Sequence, residues 1–219
     1  MTRLSAFWAS TIGKKIVMGV TGLIMVGFLI GHMAGNLQVF LGAERLNGYS
    51  RFLHGLGELL WLVRGVLLAA LLLHIVAAVQ LTRLDWAARP VGYAKHETQA
   101  ATFASRTIRI GGIVLAAFIV LHLLHFTTGT LRPAPFDEHD VYGNVTGSFA
   151  IPWVAGLYMA AMVVVGLHLY HGAWSAFRTL GLSQPSANPL QRRIAGAVAA
   201  IVWLGFTIVP LGVLLGWVK

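Results

Sequence analysis

Four histidines, His32, His74, His122 and His168, each lie inside a separate long apolar stretch of the chain. An imidazole in hydrocarbon is costly, and it turns toward a partner, a cavity or a bound group inside the bundle. Its options there are few: a helix-to-helix hydrogen bond, a proton relay, or ligation of a metal. A single buried histidine is explained by the first. Four of them on four consecutive apolar stretches have the residue type and the number for axial ligands.

Whether they can act in pairs depends on the elements that carry them. The chain has 219 residues, 57% of them hydrophobic and 11% charged, with a mean hydropathy of +0.75. A soluble domain carries about 25% charged residues, so this composition indicates an integral membrane protein. Five stretches are long and apolar enough to cross hydrocarbon as helices: 16–41, 58–82, 107–131, 151–177 and 194–217. The connections between them are rich in Gly, Pro, Asn and charge. The basic start followed by apolar residues superficially resembles a signal peptide. The apolar run from Ile16 to Phe40 is too long for one and reads as a first span that stays. The expected fold is one domain, an all-α bundle of five transmembrane helices.

The net charge of +9 does not point to nucleic acid, because the basic residues gather in loops as the positive-inside rule requires. Eleven Lys and Arg fall on one side of the spans: Arg3, Lys14, Lys15, Arg83, Arg89, Lys95, Arg106, Arg109, Arg178, Arg192 and Arg193. The other side has five, Arg45, Arg51, Arg64, Arg132 and Lys219, accompanied by Glu44, Glu58, Asp137, Glu138 and Asp140. The N-terminus is therefore expected in the cytoplasm and the C-terminus outside. Cysteine is absent, which excludes disulfides, cysteine-ligated zinc and a cysteine-ligated iron–sulfur cluster within this chain.

Depth follows from about 1.5 Å of rise per helical residue. His32, seventeen residues beyond Lys15, lies roughly 25 Å from the cytoplasmic edge, and His122, thirteen beyond Arg109, roughly 20 Å. His74 and His168, nine before Arg83 and ten before Arg178, lie about 13–15 Å from that edge. Two layers result, His32 with His122 in the outer one and His74 with His168 in the inner one. Two imidazoles on facing helices at one depth can hold a haem by both axial positions, which leaves no open site for oxygen and suits electron transfer. The fifth span has no histidine and is expected to serve packing, with Pro210 as its kink.

Other histidines compete. His125 and His171 each stand three residues beyond a candidate ligand, on the same helix face. Either can serve as the ligand instead, or bond a haem carboxylate or a quinone. His139 and His96, among charged loop residues, read as solvated. Glycines at 19, 22, 27, 31 and 35 on the first span, and at 111 and 112 on the third, permit close approach of a backbone or a flat macrocycle.

In these residues the chain resembles the di-haem cytochrome b membrane anchor of the succinate dehydrogenase and quinol:fumarate reductase family, in its single-subunit, five-helix form. The matching stretches are Ile30-Gly31-His32-Met33, Leu73-His74-Ile75-Val76, Leu121-His122-Leu123, and His168 through Gly172-Ala173-Trp174-Ser175 to Thr179-Leu180-Gly181. The resemblance covers essentially the whole chain. It implies two b haems, iron ligation by His32, His74, His122 and His168, and the same pairing of layers. It implies a flavoprotein (FAD) subunit and an iron–sulfur subunit as partners, with electrons passing through this chain to a membrane quinone, menaquinone in the di-haem form. The implied setting is a bacterial cytoplasmic membrane, where the chain would belong to the respiratory chain without touching succinate itself.

Some family members use a carboxylate near the outer haem for quinone protonation. The matching position here is His54, with Glu58 one turn later as an assistant. Fumarate-reducing members carry a glutamate where this chain has Gly166, so a proton route through that residue is not expected here. Arg64, inside the outer end of the second span, is the preferred partner for a carboxylate of the outer haem. Arg83 and Arg109 could serve the inner haem or snorkel to lipid phosphate. The loop Arg83–Arg106 is the expected docking surface for the iron–sulfur subunit. Two other classes stay open: the b-type cytochrome subunit of a hydrogenase or nitrate reductase, and a transporter that uses histidines as ligands or relays.

Overall fold

A computed structural model describes residues 2–88, 102–183 and 188–218. Every regular element among them is helical. In order these are α1 (Arg3–Ala9), α2 (Thr11–Asn36), a 3₁₀ turn (Leu37–Leu41), α3 (Ala43–Gly55), α4 (Glu58–Ala87) and α5 (Phe103–His122). A π turn (Leu123–Thr127) follows, then α6 (Val141–Phe149), α7 (Pro152–Thr179) and α8 (Asn188–Leu214).

Five segments are long and apolar enough to cross a membrane: Thr11–Leu41, Glu58–Ala87, Phe103–Thr127, Pro152–Thr179 and Asn188–Leu214. Most overrun the apolar stretches of the sequence, because a helix continues to satisfy its backbone into the polar margin. The third ends four residues earlier than Leu131. Its last turn widens, with the Thr128 amide donating to the Leu123 carbonyl at 3.0 Å, and Gly129 then takes φ +62°, where a Cβ would meet the Phe136 ring.

The start signals are local. Ser10 accepts the Gly13 amide at 2.9 Å to begin α2, Thr102 accepts that of Ser105 at 3.1 Å to begin α5, and Pro152 opens α7. Lys14, counted in the sequence as a loop cation, is buried. Its ammonium donates to the Trp8 and Ala9 carbonyls at 2.7 and 2.9 Å, closing the C-terminal end of α1. The helix α8 runs without interruption through Pro210.

The spans alternate in direction. Asp85, near the end of α4, meets Arg109 at the start of α5, and Trp174 at the end of α7 bonds Asn188 at the start of α8. A Cβ at Gly212, near the end of α8, would touch Phe40 at the end of the first span. One end of the bundle therefore carries α1 and the α7–α8 turn, and the other carries α3 and α6. The helix α7 is central, packed against α2, α5 and α8, whereas α4 packs principally along α2. The polar connections of the sequence conceal α3 and α6, which pack on each other. Asn47 ties them together: its amide donates to Asp140 at 2.8 Å and its carbonyl accepts the Tyr142 amide at 2.9 Å.

Candidate functional site

His32 on α2 and His122 on α5 face each other near the α3/α6 end. Their ring centroids are 5.9 Å apart and their planes 80° apart. Aromatic rings surround the pair. Phe28 stacks on His32 at 5.3 Å and Phe206 tilts against it at 5.7 Å. Around His122 stand Phe118 at 6.0 Å, Phe126 at 5.7 Å and Tyr158 at 6.0 Å. Phe28 and Asn36 flank His32 at four residues on either side, as Phe118 and Phe126 flank His122, so each shell follows from helical periodicity. The Asn36 amide donates to the His32 carbonyl at 2.8 Å and lies 3.4 Å from His32 Nε2. The Nδ1 of His122 is buried without a partner.

The second pair lies nearer the α1 end. His74 on α4 and His168 on α7 have centroids 6.2 Å apart and planes 56° apart. His74 Nδ1 donates to the Met18 carbonyl on α2 at 3.0 Å, with Thr21 Oγ1 at 3.3 Å. A carbonyl at Nδ1 requires the proton there, so Nε2 carries the lone pair, the arrangement a metal-ligating imidazole uses. A Cβ on Gly22 would stand 3.4 Å from His74 Cε1, and one on Gly112 4.0 Å from His168 Cε1, so small residues of α2 and α5 face this pair. The Nδ1 of His168 is buried without a partner. An apolar groove of about 230 Å³ between α5 and α7, lined by Ile108, Gly111, Val114, Val164 and Leu167, reaches its ring.

These separations can be tested against a bound group. An imidazole–metal bond of about 2 Å on each side, plus about 1 Å from each ring nitrogen to its centroid, sets two axial rings roughly 6 Å apart. Both pairs meet that value. No group of three or more His, Cys, Asp or Glu that could hold a bare metal ion occurs among the described residues. Each pair therefore supplies two imidazoles, and any metal placed between them would need its remaining ligands from elsewhere.

The competing histidines fall apart in the structure. His125 is 4% exposed, and both its nitrogens are engaged, Nδ1 with Tyr158 Oη at 2.9 Å and Nε2 with Ser148 Oγ at 3.0 Å. The π turn re-aims it toward α6 and α7, away from His32. His171 stands one turn from His168, half-buried, with its Nδ1 unpartnered; among the described residues no second imidazole faces it. Tyr158 and Ser148 carried no signal in the sequence.

Other expected residues are placed differently. Arg64 is exposed and lies over the Trp61 ring at 5.0 Å, with no carboxylate partner among the described residues. Arg109 pairs with Asp85 at 2.6 Å and lies 5.9 Å from the Trp86 ring, so its charge is already answered. His54 and Glu58 do not share a helix, because α3 ends at Gly55 and Gly57 turns the chain at φ +54° before α4 begins. His54 donates back to the Ser50 carbonyl at 2.8 Å, and His54 and Glu58 are both exposed. The central part of the expected docking loop, 89–101, which holds Arg89, Lys95 and His96, lies outside the described residues. At Gly166 a Cβ would stand 3.3 Å from that of Trp203, so any larger residue there presses on the close approach of α7 and α8. Two buried donors on α8, Trp203 Nε1 and Thr207 Oγ1, have no partner among the described residues.

No protein-family model, curated protein or solved structure matches this chain.

Proposed function

We infer that this chain is the membrane anchor and electron-transfer subunit of a succinate:quinone oxidoreductase, built to hold two haem b groups between four transmembrane helices. The observation that carries this reading is the double pairing, His32 with His122 and His74 with His168, at 5.9 and 6.2 Å and at two depths. When bound, haem would supply one-electron chemistry, with His32 and His122, and His74 and His168, as the residues that would hold it.

The chain's own residues do the rest. The Met18 carbonyl orients His74 and fixes its proton on Nδ1. Phe28, Phe118 and Phe206 exclude water around the outer pair, which keeps the local dielectric low. Arg64 stays the outer-end cation nearest a haem carboxylate in this reading, and Trp203 Nε1 and Thr207 Oγ1 are buried donors on α8 without a partner among the described residues. The two layers give electrons a path from the basic α1 end, where an iron–sulfur subunit fed by a flavoprotein would dock, toward a quinone, menaquinone in this reading, at the α3 end near His54 and Glu58. On the charge distribution that basic end is cytoplasmic, in a bacterial inner membrane.

Two alternatives are less well supported. A hydrogenase-type or nitrate-reductase-type cytochrome would draw on close-spaced ligands of one helix, and His125 is instead consumed by Tyr158 and Ser148. A transporter built on histidine ligands or relays would be expected to carry carboxylates within its spans, and among the described residues the acids of the long helices, Glu58 and Asp85, stand at the two ends of α4.

Absorption spectra of the purified chain, air-oxidised and then dithionite-reduced, with a haem count, test the proposal. Two low-spin b haems per chain and a co-purifying flavoprotein support it. A chain with no b-type α-band is not a cytochrome.

A further inference from the structure

At the end of the bundle that carries α1, two guanidinium groups converge on one indole. Arg192 of α8 lies 4.2 Å from the Trp174 ring and Arg178 of α7 lies 5.5 Å from it. The ring is fixed: Trp174 is 7% exposed and its Nε1 donates to Asn188 Oδ1 at 3.0 Å. Gln191 on α8 ties back to the residues that follow α7, its amide donating to the Leu182 carbonyl at 2.8 Å. Among the described residues neither arginine has a carboxylate partner or donates a hydrogen bond. Asp85, an acid on this end, is taken by Arg109. Two like charges held over one ring favour an anion between them, and a guanidinium fork matches phosphate oxygens. Exposed apolar side chains, Leu182 at 61% after α7 and Leu190 at 61% and Ile194 at 42% on the far face of α8, mark this level as the margin of the apolar layer. In a chain with five helices long and apolar enough to cross a membrane, an anion seated at the margin of the apolar layer is a lipid headgroup.

We propose that Arg178, Arg192 and Trp174 form a binding site for the phosphate of an anionic phospholipid. The site lies where the last turn of α7 and the first turns of α8 emerge from the apolar layer, the level of lipid headgroups. The fixed indole presets both forks, so binding orders little that is not already ordered. The site is independent of the histidine pairs.

The test uses the full chain, delipidated in detergent, with phosphatidylglycerol, phosphatidylcholine of the same acyl chains, or inorganic phosphate added. Lipid retention by native mass spectrometry and the unfolding temperature are read. Phosphatidylglycerol is expected to be retained and to raise the unfolding temperature, and phosphatidylcholine is not. Arg178→Gln and Arg192→Gln should each weaken phosphatidylglycerol binding about tenfold. Arg192→Lys should recover only part of it, and Arg193→Gln, an exposed neighbour without a ring contact, should leave it unchanged. Equal binding of both lipids, or an equal loss from Arg193→Gln, overturns the proposal. So does a full effect of phosphate alone, which would make this a plain anion site. Full lipid binding by the two glutamine variants with loss of co-purifying soluble subunits would reassign the arginines to a protein interface.

Discussion

His32 and His122 meet edge to face across α2 and α5, 5.9 Å between ring centroids, although ninety residues separate them in the chain. His74 and His168 repeat the relationship at 6.2 Å in the other layer. Each pair is a unit in the proposed function, so its members should fail together. His32→Ala and His122→Ala are each expected to leave one haem per chain, with the same surviving spectrum. His74→Ala and His168→Ala should each leave the other. Haem counts and low-temperature α-bands of the four variants check this. Loss of the inner haem from His171→Ala with retention in His168→Ala would refute the assignment.

His125 is assigned a structural part, bridging α5 to α7 through Tyr158 and to α6 through Ser148. Replacing it with leucine strands two buried hydroxyls and should cost about 1–2 kcal/mol. The haem count should stay at two. Thermal unfolding in detergent, paired with a pyridine haemochrome assay, separates the two effects.

Gly166 sets the approach of α7 to α8. An alanine must displace Trp203 by a few tenths of an ångström and should cost about 1 kcal/mol. A glutamate there, which also buries a charge, should cost about 3 kcal/mol or more. Unfolding midpoints for the two substitutions should therefore fall in that order. A Gly166→Glu chain as stable as the parent would mean that α7 and α8 can separate at this level.

The α3–α6 tie responds to acid. Asp140 accepts the Gly143 amide at 2.9 Å and the Asn47 amide at 2.8 Å, and these donors, the backbone amide foremost, hold its carboxyl below the usual carboxylate range. A carboxyl lowered on folding stabilises the fold above its unfolded pKa. That contribution is lost as pH falls through the lower folded value, so it should be full at neutral pH and fade below about pH 4. Asp140→Asn should remove this dependence, and the stability curves of the two proteins should converge in acid. Proteolysis between α3 and α6 as a function of pH reads the tie directly.

The Asp85–Arg109 pair is about half exposed on both sides, 65% and 48%. Asp85→Asn is expected to change stability by less than about 1 kcal/mol, and less still in high salt. Arg109→Gln should leave both haems in place, since its charge is spent on Asp85. Loss of a haem from that variant alone would return Arg109 to the cofactor.

Periodicity explains why some of the site is legible in the chain and the remainder is not. Phe28, His32 and Asn36, like Phe118, His122 and Phe126, follow the four-residue spacing of a helix face, so a ring shell around each histidine can be read along one strand of sequence. The roles of Tyr158 and Ser148 cannot, because each is defined by a partner 33 or 23 residues away. Arg64 shows the same limit from the other side. Its depth marks it as costly, and depth alone does not reveal that it lies over Trp61 in the same helix.

The sequence by itself determined five long apolar helices, their alternation, and a histidine on four of them, because hydrophobic length and helical rise are local properties. Those properties also set the two depths. Only the tertiary structure decided which imidazole of each close pair faces a second one. His122 and His125 differ by a single turn, and it is the π turn together with the hydroxyls of α6 and α7 that directs one toward α2 and the other away from it. A helix face spans several residues, and the choice among them belongs to its neighbours.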